Sequence, residues 1–154
     1  MPIVTLENLP RTGPLLGLDP GSRTVGVAVC DSLRLIASPV ETIARGRKAQ
    51  PVLNRVFDLY REKTCVGIVL GLPLHMSGEE GPRTQSARAL ARNLLKIEDI
   101  PIAFQDERLT SAEAERAMIV ADLSRARRAE LIDASAAALI LQTAIDRLAN
   151  LSVD

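Results

Sequence analysis

The stretch LGLDPGSRTVGVAVCD, residues 16–31, decides the fold that we predict for this chain. A short apolar run ends in Asp19, the turn residues Pro20-Gly21-Ser22 follow, and a second apolar run covers 25–29. Two apolar runs separated by a glycine turn predict a β-hairpin. A carboxylate at a strand end, beside backbone without bulky side chains, can closely approach a metal or a phosphate. The same residue types also favour turns for purely local reasons, so the hairpin alone leaves both interpretations open.

The composition fits a single globular domain. With 154 residues, the chain can bury a core without disulfides or metals as staples. The formal net charge is zero and aromatic residues make up 2%, which gives no whole-protein attraction to nucleic acid and argues against base-stacking platforms. Cys30 and Cys65 lie in apolar runs, which indicates buried thiols in a reducing compartment. Because no signal peptide or bilayer-length apolar run is visible, we expect a soluble, cytoplasmic protein without a membrane partner.

Basic residues gather in three places despite the neutral total. These clusters are Arg45, Arg47 and Lys48; Arg83, Arg88 and Arg92; and Arg125, Arg127 and Arg128. A solvated polar face is the simpler interpretation of any one cluster taken alone. Charge by itself therefore does not assign a nucleic-acid partner.

The order of elements predicts an α/β fold. Residues 1–13 look like a loose lead-in to a single domain over 14–150. After the hairpin, the patterns predict a strand over 33–39, a helix over 50–62, a buried strand over 65–70, a helix over 83–96, a strand over 101–105, a helix begun by the capping box Thr110–Glu113, and a helix over 130–149. Opening hairpins followed by alternating strands and helices indicate a mixed five-stranded sheet flanked by helices, in the order of an RNase H-like fold.

Four acidic residues are candidates for one catalytic site. Asp19 ends the first strand, Asp106 and Glu107 end the last one, and Asp133 lies near the start of the final helix. Sites in α/β sheets gather at the carboxyl ends of parallel strands, and carboxylates without Cys or His partners suit Mg²⁺ or Mn²⁺. Each acid alone also fits a local role: a helix cap, a pair with Arg108, or a favourable helix-dipole contact. Together they favour a metal site of Asp19, Glu107 and Asp133. Strand alternation places Asp106 and Glu107 on opposite faces, so only one of them is expected to be a principal ligand; we prefer Glu107, and Asp106 remains the alternative.

Four sequence blocks carry a family resemblance. LGLDPGSRTVGVAVCD, IVLGLPLHMSGEEGPRTQSAR, DERLTSAEAE and IDASAAALILQ occur in the order and spacing of the YqgF family, whose members resemble Holliday-junction resolvases and are described as pre-16S rRNA nucleases. The resemblance implies an RNase H-like fold and a cytoplasmic nuclease that trims the 5′ end of the 16S rRNA precursor. The family's acids correspond to Asp19, Asp106, Glu107 and Asp133.

The residues beside these acids are candidates for substrate binding. Ser22, Arg23 and Arg108 adjoin the acids and would contact phosphates, with turn amides adding hydrogen bonds. Arg127 and Arg128 stand where family members often have a lysine, and the two side chains are not interchangeable at phosphates.

Three functions remain open at this point. The first is a Mg²⁺- or Mn²⁺-dependent RNA nuclease in ribosome biogenesis, the second a resolvase of branched DNA, and the third a non-catalytic ribosome-assembly factor. The same chemistry would serve both nucleases. A symmetric four-way junction would favour a homodimer, and the sequence leaves monomer and homodimer open.

Overall fold

The hairpin predicted from residues 16–31 forms the centre of the sheet in a computed structural model of the chain. The structure describes residues 3–109 and 125–151, and side chains for 3–108 and 136–150. The strands are β1 (Ile3–Val4), β2 (Leu15–Pro20), β3 (Thr24–Cys30), β4 (Ala37–Ala44), β5 (Gly67–Leu72) and β6 (Ile102–Asp106). The helices are α1 (Gln50–Glu62), α2 (Pro82–Ile97) and α3 (Arg125–Leu151), with short 3-10 turns at Leu6–Asn8 and Glu107–Leu109.

The six strands form one mixed sheet in the order β1-β6-β5-β2-β3-β4. The pairs β2–β3 and β3–β4 are antiparallel, whereas the pairs β2–β5, β5–β6 and β6–β1 are parallel. The carboxyl ends of β2, β5 and β6 therefore meet at the same edge. This edge carries the candidate acids of β2 and β6.

Strand alternation divides the core into two layers. Leu16 and Leu18 of β2 face α1 and α2, which bury an apolar stripe against this side of the sheet. Leu15 faces the opposite way and packs with the Ala-rich face of α3. Gly17 lies directly beneath α3, because a Cβ there would come within 2.9 Å of Leu141 Cβ. The odd-numbered positions of β2, which include Asp19, thus belong to the α3 side.

The predicted strand over 33–39 is placed too early in the chain. The Asp31 carboxylate accepts hydrogen bonds from the amides of Leu35 and Ile36, which folds this segment into the β3–β4 turn. Leu33, Leu35 and Ile36 are consequently exposed, and the strand begins at Ala37. Partial alternation of apolar residues here reflects an exposed turn rather than a buried face.

The prediction of five strands is also wrong by one. The sixth strand, β1, pairs with β6 and comes from residues expected to be a loose lead-in. Leu6 and Leu9 bury their side chains against the α3 layer, and this burial holds the segment on the sheet. The α/β class and the positions of α1, α2, β5 and β6 agree with the sequence prediction to within a few residues. The capping box at 110–113 lies outside the described residues. Within the described part of the chain, no helix is both long and apolar enough to cross a membrane.

Candidate active site

Asp19 and Glu107 come together at the carboxyl edge of the parallel strands. Asp19 is the fifth residue of β2, and Glu107 opens the 3-10 turn that follows β6. Their carboxyl groups share a hydrogen bond. The other observation concerns Asp19 Oδ1, which is buried and has no hydrogen-bond partner among the described residues. A buried, unsatisfied carboxylate oxygen is costly unless another group completes its surroundings.

The surroundings of Glu107 favour its protonated form. Burial raises the pKa of Glu107 to about 9, and the hydrogen bond to Asp19 and the charge of Asp19 act in the same direction. Two carboxylates in contact cannot both ionise cheaply in a buried site. The Glu107 carboxyl therefore keeps its proton at neutral pH unless a cation enters.

A glycine makes room for Glu107 beneath α3. A Cβ at Gly71 would lie 3.1 Å from Glu107 Oε1 and 2.7 Å from Ile140 Cδ1. Gly71 belongs to β5, which lies between β2 and β6 in the sheet. The absence of a side chain at this position lets the Glu107 carboxyl lie across β5 and reach Asp19.

Asp106 has a different partner from Glu107. The Arg108 guanidinium binds it through Nη2–Oδ2 at 2.6 Å and Nε–Oδ1 at 3.1 Å, and this contact holds the pKa of Asp106 below its usual value. Arg108 Nη1 also donates to the Met76 carbonyl oxygen in the loop after β5, at 3.3 Å. Asp106 and Arg108 therefore tie that loop to the end of β6, and Glu107 is the member of the pair that meets Asp19.

Two further residues lie near these acids: Arg83, which the sequence indicates only as a member of a basic cluster, and Gln105, which was not predicted. Arg83 is exposed in the first turn of α2, and its charge acts on Glu107 and lowers the pKa of that carboxyl. Gln105 is 1% exposed, and neither atom of its amide finds a hydrogen-bond partner among the described residues. It pairs in register with Gly71. A polar residue within an apolar strand was the available signal for Gln105, whereas nothing local marks Arg83.

The position of Arg83 follows from how α2 begins. Thr84 Oγ1 accepts a hydrogen bond from the Gly81 amide at 3.2 Å and donates to the Pro73 carbonyl oxygen. Thr84 is fully buried, so the first turn of α2 is fastened to the end of β5. This contact brings Arg83 to the same edge of the sheet as the two acids.

The other predicted site residues divide into two groups. Ser22 and Arg23 are exposed at the turn after β2, which is closed by a hydrogen bond from the Gly21 amide to the Thr24 carbonyl oxygen at 2.8 Å. Arg127, Arg128 and Asp133 belong to the first part of α3. The side chains of these three lie outside the described residues, and their roles remain predictions.

The pair of acids fits a hard divalent cation. It offers carboxylate oxygens only, one of them buried and unpartnered, in a space that Gly71 keeps open. Mg²⁺ and Mn²⁺ prefer such ligands. The described residues contain no group of three or more acids, histidines or cysteines able to hold a metal. Asp19 and Glu107 are thus the two described carboxylates that could contribute to a metal site, and Asp133, whose side chain lies outside the described residues, remains the predicted third ligand.

Comparison with known proteins identifies the family of this chain. A family model described as RuvX, Holliday junction resolvase, matches residues 13–147. The chain belongs to the RuvX family. The resemblance predicted from the four sequence blocks is thereby confirmed.

The relatives of this RuvX-family chain align over nearly its whole length. A protein of Rhodobacter capsulatus named "Putative pre-16S rRNA nuclease" is 57% identical over 143 residues, which are 93% of this chain and 89% of the relative. A protein of Paracoccus denitrificans with the same name is 52% identical over 142 residues, 92% of this chain and 89% of the relative. Relatives of this similarity share the fold.

A solved structure supports the predicted fold class. Thermus thermophilus RuvC in complex with a Holliday junction substrate matches with a TM-score of 0.59 at 18% identity, over 89% of this chain and 96% of RuvC. A second RuvC structure from the same organism gives a TM-score of 0.53 at 12% identity, with the same coverage. The fold of this RuvX-family chain is thus the RNase H-like fold of RuvC.

Proposed function

We propose that this protein is a divalent-metal-dependent nuclease that processes the 5′ end of pre-16S rRNA by phosphodiester hydrolysis. The observation that carries the proposal is the buried, unpartnered Asp19 Oδ1 beside Glu107 at the carboxyl edge of the parallel strands. The names of the relatives from R. capsulatus and P. denitrificans support the substrate class.

Each acid has a role in this proposal. Asp19 and Glu107 would hold Mg²⁺ or Mn²⁺, and Asp133, on the helix that covers this side of the sheet, would supply a third carboxylate. When bound, the cation supplies a Lewis acid and a water activated for attack on phosphorus. As a ligand, Glu107 would be charged and its proton would pass to solvent, because the cation would offset the burial and the charge of Asp19 that raise its pKa.

The cationic residues would orient the substrate. Arg83 is exposed beside the acids and would contact the phosphate next to the scissile bond, while Ser22 and Arg23 would contact it from the turn after β2. Arg108, held by Asp106, would act mainly by fixing the loop after β5. Arg127 and Arg128 would add charge from α3.

Cleavage of a precursor 16S rRNA 5′-leader fragment tests the proposal. We expect Mg²⁺- or Mn²⁺-dependent cutting by the unmodified protein and at least a hundredfold loss in Asp19→Asn, which keeps the size but removes the charge that a metal needs. Asp58→Asn is the matched control, because Asp58 is exposed on α1, far along the chain from the site. Equal cutting by both variants would contradict the assignment of Asp19.

A second candidate, hydrolysis of branched DNA, is favoured by the description of the family model as a Holliday junction resolvase. The same acids would act on either substrate. A four-way DNA junction tested beside the RNA leader separates the two candidates. Preferential cutting of the junction by a homodimer would replace the RNA assignment, since a symmetric junction presents two equivalent strands.

A further inference from the structure

A basic cavity lies on the α1–α2 side of the sheet, away from α3. Its volume is about 200 Å³. One wall is the loop between β4 and α1, with Arg45, Arg47 and Lys48, and the other is α2, with Ser86 and Asn93. We call the cavity lined by these five residues the basic groove.

The lining of the basic groove is cationic without an acid to neutralise it. It has three basic side chains, two uncharged polar ones and otherwise Gly, Ala, Val and Leu. Arg47 and Lys48 are exposed, and neither forms an ion pair with a described residue. By contrast, Arg55 is paired with Glu41 at 2.6 Å and Arg88 with Glu80 at 2.8 Å. Unpaired cations around a cavity attract an anion from solution.

The beginning of α1 adds to the positive potential of the basic groove. Ala49, which lines the cavity, is the N-cap residue of α1 and provides no side-chain hydrogen bond to the first turn. The amino end of a helix carries a partial positive charge, and an acidic or hydroxyl cap would normally reduce it. Here no acid stands in the first turn of α1.

The basic groove is connected to the turn that follows Asp19 and β2. The Arg45 guanidinium donates to the Gly21 carbonyl oxygen at 2.5 Å, and the Arg45 amide donates to the Arg23 carbonyl oxygen at 2.8 Å. Gly21 is two residues beyond Asp19. These bonds hold the loop of the basic groove against the turn that follows Asp19.

Helix α2 also extends from the pair of acids to the basic groove. Arg83, next to the acids, and Ser86, in the groove, are three residues apart and share a face of the helix. Asn93 is seven residues further, about 10 Å along the axis at 1.5 Å per residue. This length is suited to successive phosphates of a chain and exceeds what a single phosphate group would span.

We propose that the basic groove binds the phosphodiester backbone of the RNA substrate outside the cleavage site. The inference rests on the proposed function, since it takes its ligand from that reaction. Arg47 and Lys48 pair with phosphates, Ser86 and Asn93 donate hydrogen bonds to phosphate oxygens, and Arg45 holds the loop against the hairpin turn. The contacts are to the backbone, so the groove contributes affinity without reading sequence.

The test is the salt dependence of RNA binding, measured by fluorescence anisotropy with a labelled single-stranded leader RNA. All proteins carry Asp19→Asn, so that cleavage does not interfere and a failure of the nuclease assignment does not affect the result. The slope of log K against log salt is negative, and each contact with single-stranded nucleic acid contributes about 0.7 to its magnitude. Loss of two phosphate contacts in Arg47→Gln/Lys48→Gln therefore reduces the magnitude of the slope by about 1.4.

The matched control is Lys63→Gln/Lys96→Gln, which removes the same charge at the far ends of α1 and α2, where both residues are exposed. We expect its salt slope and affinity to equal those of the parent. A third variant, Asn93→Asp, places an acid in the opposite wall and should lower the affinity without removing a cation from the loop.

Each outcome decides the proposal. The proposal is supported if the salt dependence of RNA binding becomes shallower in Arg47→Gln/Lys48→Gln but not in the control, and if Asn93→Asp binds RNA more weakly. Equal slopes in the groove and control variants overturn it, because binding would then follow net charge only. Absence of RNA binding by the parent also overturns it. Preferential binding of an acidic protein instead of RNA, with unchanged RNA affinity in the variants, would reassign the surface.

Discussion

At the scale of single residues, the candidate site depends on which carboxyl meets Asp19. Asp106 and Glu107 are adjacent in sequence, yet Arg108 binds Asp106 and Glu107 crosses over Gly71 to Asp19. Strand alternation predicts that only one of these two acids faces Asp19, without deciding which. The structure shows the physical reason: Glu107 already belongs to a 3-10 turn, and a missing side chain at position 71 gives it room.

Arg83 allows a prediction at this scale. Replacing it by Gln removes the exposed cation beside the acids, so a phosphate loses one charged hydrogen bond, worth about 1.5–3 kcal/mol. We expect leader-RNA cleavage to fall by about ten- to hundredfold, with the melting temperature unchanged. Arg92→Gln is the matched control, because Arg92 is exposed on the same helix and outside the site. Comparable losses in both variants would mean that only the charge of α2 matters.

At the scale of elements, α3 and β2 are fitted to each other through Gly17. A Cβ there would lie 2.9 Å from Leu141 Cβ and 3.1 Å from the Ala137 carbonyl oxygen. Neither atom can move without shifting the helix, because both belong to or adjoin its backbone. The Ala-rich face of α3, visible in the sequence, is thus explained by close approach to the sheet.

Gly17→Ala tests this close approach. We expect a loss of about 1–3 kcal/mol in the free energy of unfolding, the usual cost of overpacking a core. Gly46→Ala serves as the control, since a Cβ there meets nothing within 4 Å. Urea denaturation of both variants measures the difference. If Gly17→Ala were as stable as Gly46→Ala, the helix would be less closely fitted to β2 than the structure indicates.

At the scale of the whole molecule, a net charge of zero conceals a separation of charges. Acids lie at the carboxyl edge of the sheet, and unpaired cations line the basic groove on the α1–α2 side of the sheet. The sum therefore misleads, and the neutral total is no argument against a nucleic-acid substrate. Local potential is what acts on a charged ligand within a Debye length.

Metal binding gives a prediction for the whole molecule. A cation that binds only the folded state raises stability by about 2.7 kcal/mol at a hundredfold excess over Kd, and the melting temperature rises with it. We expect Mg²⁺ or Mn²⁺ to stabilise the unmodified protein and Asp58→Asn but not Asp19→Asn. Differential scanning fluorimetry with and without chelator makes the comparison. An equal rise in Asp19→Asn would show that the cation binds elsewhere.

Most of the elements and the family of this protein follow from its sequence. Apolar periodicity placed α1 and α2 nearly to the residue, because their buried stripes repeat at the helical period. The apolar run before Asp19 and the glycine turn after it determined the hairpin. Four sequence blocks determined the family, which the family model confirms.

How distant residues meet depends on the packing of the elements against one another. β1 exists because Leu6 and Leu9 find a buried place under α3, which no local pattern shows. The packing of α2 against the sheet brings Arg83 near Glu107, and the packing of the β4–α1 loop connects Arg45 to the hairpin turn. The burial of Gln105 likewise depends on the layers that cover the sheet. Periodicity reports which face of an element is buried, whereas a site needs the relative positions of several elements. Those positions are set by side-chain volumes at the contacts between layers.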